Sequence, residues 1–247
     1  MTPHVVVDIG NSRMKWGLVR GGRIADTAAL DFDDRGNWFT RAVVWCLGTH
    51  TTWVIVSVNP TATDEFLAWL GQHADGISLL EDRVAIPLEL DVETPEAVGL
   101  DRLLACHAAR KYAEKGRPFL VVQAGTALAV NLVNASGVFC GGSIMPGLSL
   151  MAKSLHEHTA KLPEVAIRKP VEAIPGRTTE DAIRAGIYFA AVGAILTLRA
   201  GFGRGEILPI FITGGDAALL IPALPEPVTH LPDLVLEGIR LAAEARP

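Results

Sequence analysis

The sequence predicts an α/β protein built from two similar halves, and three observations carry that prediction. Two buried-strand runs, His4–Ile9 and Phe119–Gln123, each end in a glycine turn and continue into a second strand-like run. The runs align at a constant offset of 115 residues, pairing 8 with 123, 10 with 125 and 11 with 126, and the turns Gly21-Gly22 and Ser136-Gly137 fall in the same frame. Helical patterns follow the strands in both halves, the alternation an α/β architecture requires. These features indicate an internal duplication, with domains expected at 1–116 and 117–247.

Taken in order, His4–Ile9 is β-branched and almost wholly apolar, as a strand covered on both faces must be. Gly10-Asn11-Ser12 is a turn, Met14–Val19 is again strand-like, and Gly21-Gly22 signals a hairpin. Helices are expected around Trp38–Leu47 and Ala62–Gly71, with a strand at Thr52–Val58 between them. Leu103, Leu104, Cys106, His107, Ala108 and Tyr112 recur at helical spacing over Leu100–Glu114, and Gly116-Arg117-Pro118 ends that helix. In the second half, Leu128–Val133 and a strand starting at Val138 follow the Gly125-Thr126 turn. Pro163–Arg177 is proline-rich and aperiodic, so a surface loop; Thr179 then caps a helix to about Arg199, with Glu180 and Asp181 in its first turn. A strand at Phe211–Thr213 runs into Gly214-Gly215, and Val228–Leu231 and Leu234–Ala243 supply a last strand and helix.

Composition excludes several classes. The chain has 247 residues, 49% hydrophobic and 20% charged, which rules out global disorder and fibrous structure. Its 22 basic and 27 acidic residues give a net charge of −5 without any block of like charge, so no nucleic acid partner is expected. Cys46, Cys106 and Cys140 are odd in number and widely spaced, which argues against a disulfide framework or a zinc ribbon and for a reducing, cytoplasmic setting. The N-terminus has no basic region ahead of its apolar run, so no signal peptide is expected. The longest apolar stretch, Gly186–Leu198, has 13 residues against the roughly 20 a bilayer span needs, so no membrane partner is expected either.

The candidate chemistry lies in glycine turns that follow buried strands. Backbone N–H groups reach a phosphate closely where no Cβ intervenes, and Gly10-Asn11-Ser12, Gly125-Thr126 and Gly214-Gly215 offer three such turns, read as a nucleotide cradle between two similar domains. Asp8 ends an apolar strand, where a carboxylate is costly unless it holds a cation or its own turn. With Lys15 across the hairpin it makes either a site for hydrated Mg²⁺ and phosphate charge or a self-contained turn. Asp101 falls near a helix start, where it either caps the helix or orients a substrate hydroxyl and takes its proton late in a loose phosphoryl-transfer transition state. Arg102 offers a planar fork for a carboxylate ligand. His156 and His158 read as surface residues, Cys106-His107 as core, and Trp38, Trp45, Trp53 and Trp69 as packing.

With those residues in place, the sequence resembles the type III pantothenate kinases. Asp8-Ile-Gly-Asn-Ser-x-x-Lys15 resembles the family's first phosphate motif, Pro95-x-x-Val-Gly-Leu-Asp-Arg102 its G-x-D-R motif, and Gln123-Ala-Gly-Thr-Ala127 its second phosphate motif. Gly141-Gly-Ser-Ile-Met-Pro-Gly147, Thr159-Ala-Lys-Leu-Pro163 and Thr213-Gly-Gly-Asp216 follow in family order over nearly the whole chain. The resemblance implies a duplicated actin-like (ribonuclease H-like) ATPase fold with a central cleft, transfer of phosphate from ATP to the hydroxyl of pantothenate, a homodimer, and a need for Mg²⁺ and a monovalent cation (K⁺ or NH₄⁺). It places Asp8, Gly10, Asn11, Ser12, Lys15, Gly125, Thr126, Gly214 and Gly215 on ATP, with Asp8 on Mg²⁺ through water. Gly99, Leu100, Asp101, Arg102 and Thr179 fall on pantothenate, with Asp101 as the base. Two other readings stay open: a regulatory relative resembling Bvg accessory factor, and a kinase of this fold with another hydroxyl acceptor.

The chain departs from the family at four positions. Gln123, Ala129 and Asn131 stand where the family pattern is Asp-x-Gly-Thr-Ala-x-Thr-x-Asp, and Val92 where a tyrosine is common. Gln123 occupies the monovalent-cation position. Exchanging its acid for an amide removes both a repulsion toward phosphate and the strongest cation ligand, which implies a weakened or lost cation requirement.

Overall fold

The structure is a computed structural model describing residues 3–172 and 174–246. The described residues divide into two compact units, those within 1–89, 93–112 and 233–247 in one and those within 90–92 and 113–232 in the other.

The first unit is a five-stranded sheet of β1 (Val5–Ile9), β2 (Met14–Arg20), β3 (Arg23–Leu30), β4 (Thr52–Ser57) and β5 (Gly76–Leu79), in the order β3-β2-β1-β4-β5. β1 runs antiparallel to β2 and parallel to β4, so every one of its backbone groups faces a neighbouring strand. Gly21 and Gly22 turn β2 into β3 with φ of +58° and +70°, the left-handed pair that matches strand twist in a tight hairpin. Alternation sends Val5, Val7 and Ile9 to one side, where α1 (Arg35–Val44) and α2 (Pro60–Leu70) pack. All five tryptophans gather there around Phe66. Trp16 meets Trp53 edge-on at 5.0 Å and Phe66 stacks on Trp69 at 5.8 Å, which accounts for Trp16 as well as the four expected to pack. Asn59 caps α2 by accepting the Ala62 N–H at 3.2 Å, with Pro60 in the first turn, where a missing N–H costs nothing. α3 (Leu100–Ala109) completes this part of the unit and stops five residues before the expected end at Glu114.

The second unit repeats the plan. β6 (Phe119–Ala124), β7 (Ala127–Val133), β8 (Phe139–Pro146), β9 (Ile210–Thr213) and β10 (Val228–His230) form a sheet in the order β10-β9-β6-β7-β8, with β6 antiparallel to β7 and parallel to β9. Strand for strand this is the first sheet again, as the sequence alignment anticipates. Leu120, Val122 and Ala124 face a core shared with α4 (Leu148–Glu157), α5 (Thr179–Gly203) and α6 (Ala217–Leu220). By length and composition α5 is long and apolar enough to cross a membrane, beyond the 13-residue stretch read from the sequence. Its Ile183, Ile187, Tyr188, Ala191 and Ile195 are buried in this unit's core.

Two expectations need correction, and two elements were not expected. α7 (Leu234–Ala245) does not belong with the second half but packs on the first unit, where a Cβ on Gly238 would overlap the Leu104 carbonyl of α3. The amphipathic pattern of α7 shows an apolar face without showing which sheet it covers. Thr178, not Thr179, caps α5: its hydroxyl accepts the Asp181 N–H at 3.1 Å, and Thr179 is the first helical residue. α4, which carries His156, and β5 were not foreseen; β5 is four half-buried residues, too short to show a period.

Candidate active site

The first unit concentrates charge on one face of its sheet. Asp8 is the only polar residue of β1, directly opposite Lys15 of β2 and beside Val56 of β4. Directly opposed side chains on antiparallel strands have Cβ atoms about 5 Å apart, within electrostatic reach. By alternation Asp8 points away from the tryptophan cluster. On that side Gly17, on Lys15's face of β2, would carry a Cβ 3.2 Å from Leu236 of α7. The turn beyond Asp8 is closed by the Gly10 N–H donating to the Arg13 carbonyl at 3.2 Å, with Asn11 and Ser12 exposed.

Asp101 lies in the first turn of α3, after Gly99. The Asp101 Oδ1 lies 2.6 Å from where a Cβ on Gly99 would sit, so the carboxylate folds back onto the glycine and needs its bareness. Asp8 and Asp101 sense each other. Burial first, then the negative charge of Asp101, push the Asp8 carboxyl up to about 6, against the opposing pull of Lys15. Burial also raises Asp101, partly offset by the backbone N–H and the charge of Arg102. Burial lowers the Arg102 guanidinium, with Cys106 and Asp101 acting the other way. The structure therefore brings Asp8 within electrostatic reach of Lys15 and Asp101, with Arg102 beside Asp101, so that two buried acids face two cations. Such acids suit a cation. Among the described residues there is no cluster of three or more His, Cys, Asp or Glu that would cage a metal. The two acids suit Mg²⁺, which is held by one or two carboxylates together with water and substrate phosphates.

The second unit supplies a glycine-built edge. Gly125 and Thr126 join β6 to β7, and the Gly125 N–H donates to the Ala127 carbonyl at 3.1 Å. Gly147 underpins this turn: its N–H donates to the Thr126 carbonyl at 2.9 Å, and a Cβ on it would overlap the Gly125 carbonyl. Gly214 leaves β9 at φ +102°, where a Cβ would overlap the backbone of Ala124, and the Asp216 N–H donates to the Ala124 carbonyl at 3.0 Å. Gly215 is exposed, with open space around its α-carbon. These turns converge at the carboxyl ends of the parallel strands β6 and β9, the edge where open α/β sheets bind ligands. Gln123, the last residue but one of β6, is half-buried and opposite Ala129 and Thr213. Thr179 is exposed in this unit, on the first turn of α5, while Gly99–Arg102 belong to the other.

Sequence reasoning missed the supporting role of Gly147 and the placement of Asn131, wholly buried on β7. The cue for Gly147 was its position before an apolar helical run; for Asn131 it was an amide inside an otherwise apolar strand.

A sheet of this order occurring twice, each copy with a glycine turn after its first strand, defines the actin- and hexokinase-like ATPase fold. Solved structures agree: a Campylobacter jejuni protein of the Baf family aligns with a TM-score of 0.66 at 19% identity over 97% of both chains. The activator of 2-hydroxyisocaproyl-CoA dehydratase from Clostridium difficile aligns with 0.58 at 11%, over 99% of this chain and 96% of that one. At such identities the likeness concerns the fold alone. The sequence goes further: residues 4–200 match the family model of type III pantothenate kinase, and the type III pantothenate kinase of Alkalilimnicola ehrlichii is 35% identical over 98% of this chain and 99% of its own. The chain belongs to the type III pantothenate kinase family.

Proposed function

We propose that the protein transfers the γ-phosphoryl group of ATP to the hydroxyl of pantothenate, the first step of coenzyme A biosynthesis, with Asp101 as the base. The observation that carries this reading is the placing of Asp8 directly opposite Lys15 in the β1–β2 hairpin of a chain that matches the type III pantothenate kinase family over residues 4–200. In the first unit Asp8 would hold Mg²⁺, and Lys15 and the Gly10–Ser12 turn take phosphate; the family motifs give the phosphate-binding duty in the second unit to the Gly125-Thr126 and Gly214-Gly215 turns. Mg²⁺, when bound, neutralises charge on the transferring group. Gly99, Leu100, Arg102 and Thr179 line pantothenate, the Arg102 fork matching its carboxylate.

The hydroxyl oxygen bonds to the γ-phosphorus as the bond to the bridging oxygen breaks and ADP departs. An ordinary carboxylate near pKa 4 cannot strip an alcohol beforehand. Asp101 instead aims the hydroxyl and accepts its proton as the oxygen loses electron density. The burial that raises the Asp101 pKa makes it a better acceptor near neutral pH.

The protein works as a cytoplasmic homodimer. Its three cysteines are free thiols, and Ile144, Leu150, Leu155 and Phe189 leave apolar surface exposed on the second unit; light scattering is expected to give twice the chain mass, and the mass of one chain would contradict the dimer. ADP release measured over a panel of hydroxy acids and sugars tests the substrate. Pantothenate is expected to drive turnover most efficiently; a faster sugar, or ADP release indifferent to any acceptor, contradicts the assignment.

A further inference from the structure

The monovalent cation implied by family resemblance can be tested against the residues this chain carries, and they do not fit it. Gln123 and Asn131 lie two registers apart on one face of the β6–β7 pair, Gln123 opposite Ala129 and Asn131 opposite Val121. The Asn131 Nδ2 donates to the Val121 carbonyl at 3.3 Å and to Gln123 Oε1 at 3.2 Å. A primary amide nitrogen carries two N–H donors, and these bonds engage both. The orientation is fixed by chemistry: turning the amide over would set its oxygen against the Val121 backbone carbonyl with no proton between them. Burial makes that intolerable, because Asn131 is 0% exposed and its polar atoms must find protein partners. β8 closes over it, since Gly142 pairs with Asn131 and a Cβ there would lie 2.8 Å from the Asn131 α-carbon.

We infer that the Asn131 side-chain N–H₂ takes the place of a monovalent cation, binding the Val121 and Gln123 oxygens from within, so that this kinase works without K⁺ or NH₄⁺. A carboxylate at 131 would present a third buried oxygen to the same two, and three desolvated oxygens call for a cation. The amide bridges them with a proton on each side. Gln123 completes the exchange, being a neutral acceptor where an acid beside the nucleotide turn would need its charge balanced. The inference rests on the reading of Gly125-Thr126 as a phosphate turn only for its effect on rate, not for its effect on stability.

The test has two arms. The melting temperature of the substrate-free protein in KCl, NH₄Cl and tetramethylammonium chloride at equal ionic strength is expected to agree within about 1 °C. Saturable stabilisation by K⁺ or NH₄⁺ overturns the inference. Pantothenate-dependent rates in the same salts are expected to agree within about twofold, and a tenfold activation by K⁺ overturns it equally. An inactive protein would sink the functional assignment while leaving the melting arm intact. Asn131→Asp, alone and with Gln123→Asp, is expected to create a K⁺-dependent melting temperature several degrees apart between KCl and tetramethylammonium chloride. If neither variant folds in tetramethylammonium chloride but both fold in KCl, the inference is supported. If both melt alike in every salt, the oxygens need no cation and it fails.

Discussion

Replacing Asp8 by Asn should stabilise the protein while disabling it. In the folded chain the Asp8 carboxyl is pushed from 3.8 to about 6 by burial and by Asp101. At about 1.4 kcal/mol per tenfold change, holding that carboxylate ionised at neutral pH costs up to about 3 kcal/mol of folding stability. Asparagine keeps the shape and removes the charge, so Asp8→Asn should recover most of it, a rise of roughly 6–10 °C in melting temperature for a chain of this size. The sign follows from proton binding: between about pH 4 and 6 the folded state holds the Asp8 proton and the unfolded state does not. Wild-type stability therefore rises as pH falls through 6 toward 4, and the advantage of the variant shrinks to nothing near pH 4. Urea unfolding of both substrate-free proteins from pH 7.5 to 4.5, beside assays of turnover, measures the effect. A variant no more stable than wild type at pH 7.5 would refute the reasoning, and a gap independent of pH would assign it to packing.

Other consequences follow from the same geometry. Asp101→Asn should fold normally and lose about 10²–10⁴ in rate; near-wild-type turnover removes Asp101 from the mechanism. Gly99→Ala puts a methyl 2.6 Å from the present position of Asp101 Oδ1 and displaces the carboxylate, so kcat should fall at least about tenfold with little change in melting temperature; an unchanged kcat breaks the link between the glycine and the acid. Gly214→Ala, with φ at +102° and the Ala124 backbone in the way, should cost more than about 3 kcal/mol or prevent folding, whereas Gly215→Ala, with open space, should stay within about 0.5 kcal/mol in urea unfolding; equal effects would contradict the local geometry.

What could be read in the chain depended on how local its cause was. β1 and β6 announced themselves because a strand covered on both faces needs an unbroken apolar run, and the lone polar residues in them, Asp8 and Gln123, marked the ends that matter. The duplication was legible because the glycine turns recur in one frame. The route of α7 was not, since an apolar stripe fits any complementary surface and only the approach of Gly238 to Leu104 decides between them. Nor was the bond from Asn131 to Gln123, which depends on strand register: eight positions apart in sequence, the two amides meet only because β6 pairs antiparallel with β7. The reach between Asp8 and Asp101 spans 93 residues, and the chain gave the two acids separate, equally plausible local duties as turn and cap.

The most direct measurement is phosphorus NMR of the protein incubated with Mg²⁺, ATP and pantothenate, for wild type and Asp101→Asn. A new phosphomonoester resonance growing in equal amount with ADP is expected from the wild type, and almost none from the variant. ADP accompanied by inorganic phosphate and no ester, or equal ester from both proteins, would contradict the assignment.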